Sequence, residues 1–258
     1  MKYTFHACTV ENIIQETDLV KRFFFKVPDE IPFDFKAGQF IMLNLPLHSK
    51  YTNRSYSIAS PPLKNNTFEL AIVLNPKGLG TPFLWEKVTI GTELQVSQAL
   101  GKFQLQEPIV EDLCFIGTGT GIAPLRSILL HIFNNKIPFK KMYLIFGNRW
   151  EKDILYRKEF EQLELENKNF QFIPVLSRDN PGWKGRTGYV HAIYEEIFSG
   201  VRRDALNASQ ALNASQALSA SRPATFYICG WRDMLKEARV RIANMGYDKK
   251  KIRFESYD

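Results

Sequence analysis

The chain has 258 residues, a formal net charge of +7, 45% hydrophobic residues and three cysteines. That length allows one large domain or two domains of ordinary size, each with its own core. No apolar run reaches the about 18 residues of a membrane-spanning helix. The first residues also lack the apolar core of a signal peptide. The cysteines show no zinc or iron–sulfur spacing, so we expect a cytoplasmic protein without a bound metal.

The first part of the chain, residues 1–108, has the pattern of a β-domain. Short runs rich in Phe, Val and Ile are separated by turn signals such as Pro61-Pro62 and Asn65-Asn66. We predict strands at residues 5–14, 20–27, 40–45, 55–59, 68–74 and 93–96, and one short helix at 81–88. Several short strands at this spacing are typical of an antiparallel β-barrel or a sandwich.

The second part, residues 109–258, alternates short apolar strands with amphipathic helices. The predicted strands lie at residues 113–116, 142–146, 170–176, 226–229 and 252–257. Three predicted helices lie at 123–133, 188–198 and 234–245. A fourth predicted helix passes through residues 160 and 163. Such alternation predicts a parallel sheet with helices on both faces, an α/β nucleotide-binding domain. We place the domain boundary near residues 106–111.

One segment does not fit this alternation. The sequence Ala-Leu-Asn-Ala-Ser-Gln at 205–210 recurs at 211–216 and approximately at 217–222. The unit is too short for a solenoid repeat. We interpret residues of about 203–222 as an inserted surface loop, because an extra loop there has a small entropic cost.

A first chemical motif is Arg54-Ser55-Tyr56-Ser57. Arg54 offers a fixed fork of donors to a pyrophosphate. Tyr56, two residues along a predicted strand, points to the same face and can stack on a flat ring such as a flavin. Ser57 then has an N–H and a hydroxyl near the ring edge. Taken alone, the motif is also compatible with an ordinary strand that exposes an Arg.

Two glycine-containing turns each precede a predicted helix. Leu79, Gly80 and Thr81 open the short helix of the β-domain, and the first N–H groups of a helix attract anions. The second turn follows a strand and lets the backbone approach a dinucleotide pyrophosphate. Its spacing differs from the G-x-G-x-x-G of a Rossmann fold, and its residues are Gly117, Thr118, Gly119 and Thr120.

A third motif, Cys229-Gly230-x-x-x-Met234, ends a predicted strand. Residues at the carboxyl edge of a parallel sheet face the ligand crevice. A small buried Cys that only fills space is the alternative interpretation of Cys229.

Three of these motifs in this order resemble the ferredoxin–NADP reductase superfamily, over nearly the whole chain except the insert: Arg54-x-Tyr56-Ser57, the glycine-rich turn from Gly117 to Pro124, and Cys229-Gly230-x-x-x-Met234. The resemblance implies that Arg54 and Thr81 bind the phosphates of FAD, that Tyr56 stacks on the isoalloxazine and that Ser57 hydrogen-bonds near its N5 atom. It also implies that Thr120 lies near the flavin and the nicotinamide. Cys229 would lie near the nicotinamide carbon that gives up hydride.

The same resemblance bears on the choice of nicotinamide cofactor. NADPH-dependent members hold the 2′-phosphate with basic residues after the second and third α/β strands. Here the candidates are Arg149, Ser177, Arg178 and Arg186, and convergent arginines would favour a phosphate. Asp179 opposes that interpretation, and Trp183-x-Gly185 is shared with relatives that use NADH, so NADH stays an alternative.

The last residues extend the resemblance. Plastid-type reductases end in Glu-x-Tyr, with the Tyr covering the flavin and the Glu beside it. Glu255 and Tyr257 match this pattern, but Asp258 follows them. We predict a catalytic role for Glu255, together with Ser57 and Cys229, and a flavin contact for Tyr257. The alternative is a last strand whose Tyr packs against the barrel.

We therefore expect an FAD-dependent NADPH reductase that exchanges single electrons with ferredoxin or flavodoxin. The charge of +7 suits an acidic carrier. The basic residues are scattered, so we expect no nucleic-acid partner. We also expect no membrane partner and a monomer. The alternatives are the reductase component of an oxygenase, a free-flavin reductase, and a non-enzymatic flavin-binding subunit.

Overall fold

The computed structural model describes residues 3–48, 52–199 and 222–256. It divides into two compact units. The first consists of Met1–Glu107 and Thr120–Ile137, and the second of Pro108–Gly119 and Pro138–Asp258. The boundary expected near residues 106–111 stays a prediction, and the segment Thr120–Ile137 groups with the first unit.

The first unit is an antiparallel sheet of six strands in the order β4-β3-β6-β1-β2-β5. A bridge between Ile58, just after β4, and Leu70 on β5 joins the two ends of this order, which confirms the predicted antiparallel β-domain. The strands are β1 (Phe5–Thr17), β2 (Val20–Lys26), β3 (Phe40–Asn44), β4 (Asn53–Ser57), β5 (Thr67–Val73) and β6 (Glu93–Ser97). The unit also contains helices α1 (Gly80–Glu86) and α2 (Ile122–Asn134).

Aromatic residues on alternate strand positions fill the core of this sheet. Phe23 and Phe25 on β2 are fully buried, as period-2 alternation requires. The ring of Phe25 stacks on that of Phe68, with 5.0 Å between centroids. Offset ring pairs of this kind add to the gain from burial alone.

The second unit is a parallel sheet in the order β10-β9-β8-β7-β11-β12. Its central strands are buried and almost entirely apolar, as expected for a sheet covered on both faces. The strands are β7 (Asp112–Thr118), β8 (Met142–Asn148), β9 (Phe170–Leu176), β10 (Arg186–Thr187), β11 (Ala224–Gly230) and β12 (Ile252–Ser256). Its helices are α3 (Arg157–Glu166), α4 (Val190–Phe198) and α5 (Arg232–Asn244), so the predicted α/β fold is confirmed.

Three details differ from the sequence prediction. The two-residue strand β10 was not predicted, because two residues show no periodicity. The helix predicted from residue 188 begins at Val190, since Gly188 has a left-handed φ of +101°. The repeated insert lies outside the described residues except for Arg222. Within the described ranges, none of the helices is both long and apolar enough to cross a bilayer.

Candidate functional site

Strand β4 presents the first motif in the alternation that the sequence predicted. Arg54 and Tyr56 are both partly buried, Ser55 between them is exposed and Ser57 is buried. Tyr56 packs against the hydrophobic core of the first unit. Burial raises the pKa of its phenol to about 12, against the opposing effect of the Arg54 charge. Tyr56 is therefore a neutral, fixed aromatic ring at physiological pH.

The side chain of Arg54 lies across the start of α1, and Gly80 leaves the space for it. A Cβ on Gly80 would lie 3.1 Å from both Cγ and Nε of Arg54. The N-cap residue Leu79 makes no side-chain cap, so the first N–H groups of α1 are available beside the guanidinium. A guanidinium next to uncapped helix N–H groups is a donor set that fits the pyrophosphate of FAD.

The hydroxyl of Thr81 is already engaged inside the turn before α1. It donates to the Asn75 carbonyl oxygen at 3.1 Å and accepts from the Asn75 N–H at 2.8 Å. The Asn75 side chain accepts from the N–H of Lys77 at 3.1 Å. A contribution of Thr81 to phosphate binding would thus come from its backbone N–H. Asn75 shapes this turn and was missed, although Asn is a common turn former.

The second glycine-rich turn joins β7 to α2. Thr118 ends the strand, a 3₁₀ turn covers Gly119–Gly121, and α2 begins at Ile122 without a side-chain cap. Gly230 on the neighbouring strand β11 lies very close to Thr118. A Cβ there would lie only 2.1 Å from the Thr118 hydroxyl oxygen, and the φ of +151° also requires glycine.

The register of the parallel sheet brings three predicted residues side by side. Cys229 on β11 is opposite Gly117 on β7 and opposite Glu255 on β12. All three therefore lie near the carboxyl ends of adjacent strands, where α/β sheets bind ligands. Cys229 is fully buried and Glu255 is partly exposed. Tyr257, the predicted flavin contact, lies outside the described residues.

Asn180, a residue that sequence reasoning missed, helps to hold together the loops after β8 and β9. The amide nitrogen of Asn180 donates to the carbonyl oxygens of Arg178 at 2.8 Å and Arg149 at 3.4 Å. Ser177 adds a backbone hydrogen bond of 3.0 Å to Asn148. The two predicted arginines, both exposed, therefore belong to one connected loop pair.

Arg186 has a different environment from these two arginines. Its guanidinium forms two hydrogen bonds to the carboxylate of Glu196 on α4. The indole N–H of Trp183 donates to the Arg186 carbonyl oxygen at 3.0 Å. The Glu196 carboxylate compensates the Arg186 charge that we expected to bind the 2′-phosphate. A role of Arg186 in binding that phosphate stays a prediction.

Comparison with known proteins defines the class of this chain. Residues 7–105 match the oxidoreductase FAD-binding domain, and residues 115–240 match the oxidoreductase NAD-binding domain. Ferredoxin–NADP reductase B of Sorangium cellulosum (strain So ce56) is 32% identical over 240 residues, covering 93% of this chain and 92% of that protein. The reductase component of phenol 2-monooxygenase from Pseudomonas sp. (strain CF600) is 30% identical over 171 residues, covering 66% of this chain and 48% of that protein.

A solved structure has the same fold over the full length. The crystal structure of a ferredoxin NADP⁺ reductase from Neisseria gonorrhoeae, with bound FAD and NADP, superposes with a TM-score of 0.78. It covers 99% of each chain at 24% identity. This protein is thus a flavin- and pyridine-nucleotide-dependent oxidoreductase. It belongs to the ferredoxin–NADP reductase superfamily.

Proposed function

We propose that this protein takes a hydride from NADPH and passes electrons singly to ferredoxin or flavodoxin, as a cytoplasmic monomer. The observation that carries the choice of NADPH is the loop pair joined by Asn180, which contributes Arg149 and Arg178. Within the described residues, neither arginine has an ion-pair partner. Two uncompensated guanidinium groups on connected loops suit the 2′-phosphate that distinguishes NADPH from NADH.

The chain's own residues would bind and orient the cofactors. Arg54 and the first N–H groups of α1 would hold the FAD pyrophosphate, Tyr56 would pack on the flavin ring, and Ser57 would lie at its edge. Bound FAD would supply the chemistry, which is to accept a hydride and release electrons one at a time. The buried Cys229 would limit the space for the nicotinamide and so fix its orientation.

The identity of the acceptor is proposed from charge and from the relatives. A net charge of +7 attracts an acidic carrier and accelerates encounter at low salt. The Sorangium relative, which this chain matches over nearly its full length, is named a ferredoxin–NADP reductase. Ferredoxin or flavodoxin is therefore the preferred acceptor.

A second candidate is an NADH-dependent reductase component of an oxygenase. Glu196 engages Arg186, and Asp179 places a carboxylate next to Arg178, and both features weaken attraction for a 2′-phosphate. The phenol 2-monooxygenase relative belongs to this type by its name, although this chain spans about half of its length.

Anaerobic titration followed by carrier addition separates these candidates. Purified holoprotein would be titrated with NADPH and with NADH while flavin absorbance is recorded, and then mixed with ferredoxin, flavodoxin or free FMN. We expect bleaching at lower NADPH than NADH, and carrier reduction whose rate falls as salt rises. Bleaching by NADH alone, or rates independent of salt, would contradict the proposal. A flavin that neither nucleotide bleaches would favour a non-enzymatic subunit.

A further inference from the structure

Trp231 is an exposed aromatic residue at the carboxyl end of β11. The residue has 70% relative exposure, although tryptophan has one of the largest apolar side chains. It is the N-cap residue of α5 and directly follows Gly230. Because Trp231 lies at the ligand-binding edge of a parallel sheet, its exposed side chain is placed to contact a ligand bound there.

The backbone of Trp231 is held against the glycine-rich turn. Its N–H donates to the Thr118 hydroxyl oxygen at 3.3 Å. The preceding Gly230 leaves no space for a Cβ beside the same hydroxyl. The contact with Thr118 therefore fixes the position of the Trp231 backbone, from which the indole extends.

The indole N–H of Trp231 lies beside the turn itself. The nearest heavy atom to a Cβ placed on Gly119 would be the Trp231 Nε1, at 4.0 Å. Among the described residues this N–H has no hydrogen-bond acceptor, whereas the indole N–H of Trp183 donates to a carbonyl oxygen at 3.0 Å. An indole nitrogen donates and cannot accept, so the group suits an anionic ligand.

We propose that Trp231 is a binding residue for the pyridine dinucleotide, with its indole N–H donating a hydrogen bond to the pyrophosphate. This inference rests on the proposed position of the dinucleotide on the glycine-rich turn. It does not depend on the identity of the electron acceptor. The hydrogen bond adds a directional contact on one side of the turn, where Gly119 itself offers only backbone.

The test compares two ligands that differ in the pyrophosphate. NADP⁺ carries it and 2′-AMP lacks it. Dissociation constants would be measured by calorimetry on the oxidised holoprotein of the wild type and of Trp231→Phe, which keeps an aromatic ring and removes the N–H. Loss of a hydrogen bond to a charged group predicts about tenfold weaker binding of NADP⁺. Binding of 2′-AMP should change by less than about twofold, since it lacks the acceptor.

Trp150→Phe is the matched control, because Trp150 is also an exposed tryptophan, in the loop after β8. It should leave the ratio of the NADP⁺ and 2′-AMP dissociation constants unchanged. Quenching of tryptophan fluorescence by NADP⁺ should shrink in Trp231→Phe more than in this control.

Two results would overturn the inference. One is unchanged NADP⁺ binding in Trp231→Phe, and the other is an equal loss of affinity for 2′-AMP. Failure of the wild type to bind either nucleotide would reject the proposed function as well, so the two failures are distinguishable. Trp231 is exposed, so the melting temperature of the variant should match that of the wild type, and a large decrease would assign the residue a structural role instead.

Discussion

A buried ion pair at the base of α2 permits a quantitative test of how the first unit is held together. The Arg126 guanidinium donates to the Glu69 carboxylate at 3.1 Å and to the Ala59 carbonyl oxygen at 2.8 Å. Arg126 is 6% exposed and Glu69 is 3% exposed. The other Glu69 oxygen accepts from Nε of Arg22 at 2.6 Å. Replacing Arg126 therefore removes one of the two arginines that, among the described residues, compensate the charge of the buried Glu69 carboxylate.

We expect Arg126→Met to lower the free energy of unfolding by about 3–5 kcal/mol, the usual effect of removing one partner of a buried pair. The double variant Arg126→Met/Glu69→Gln should lose less, because the uncompensated charge is removed as well. Urea unfolding of the holoprotein, followed by circular dichroism and by flavin release, measures both values.

The surface pair between Lys26 and Asp29 provides the control. The Asp29 side chain is 78% exposed, so Asp29→Asn should change the free energy of unfolding by at most about 1 kcal/mol. If Arg126→Met cost no more than this control, or if the double variant were less stable than the single one, the reasoning from burial would be refuted.

Three further predictions concern nucleotide binding, hydride transfer and pH. Arg149→Ala and Arg178→Ala should each raise the KM for NADPH about tenfold with little change for NADH, and equal effects in steady-state assays would reject the 2′-phosphate assignment. Cys229→Ala should slow hydride transfer in stopped-flow traces while FAD stays bound, and loss of the yellow colour would contradict its placement. Burial lowers the pKa of His191, against the opposing charge of Glu237. Below about pH 6.5 the unfolded state therefore binds more protons than the folded state. The urea midpoint should fall as the pH decreases below this value, and His191→Gln should reduce this dependence of the midpoint on pH.

Much of the fold could be predicted because it depends on local patterns. The strands follow from apolar runs such as those of β7 and β8, and most predicted bounds lie within two or three residues of the observed ones. The helix-opening turns at Gly80 and Gly119 follow from glycine before an apolar helix. The two-residue strand β10 was missed because nothing in so short a segment distinguishes it from a loop.

The side-chain pairings could not be predicted, since they depend on how separate elements of the fold are arranged. The bond between Arg186 and Glu196 depends on how β10 and α4 are arranged. The pair of Arg126 and Glu69 joins residues 57 positions apart. One signal was present in the sequence: a charged Arg126 within the otherwise apolar start of α2 predicts a buried partner, because an isolated charge is almost never fully buried.

Two asparagines that the sequence did not single out explain how the candidate phosphate-binding loops are shaped. The backbone of Asn75 exchanges hydrogen bonds with the Thr81 hydroxyl, and its side chain accepts from the Lys77 N–H in the turn before α1. Asn180 binds two carbonyl oxygens and accepts from the Glu151 N–H at 3.0 Å. Each asparagine fixes its loop through hydrogen bonds that require no ligand. In the proposed function, a nucleotide binding to these loops would require little further ordering of the chain, so the conformational cost that usually reduces affinity would be small. The arginines and N–H groups of these loops can therefore contribute more of their interaction energy to recognition of the phosphates.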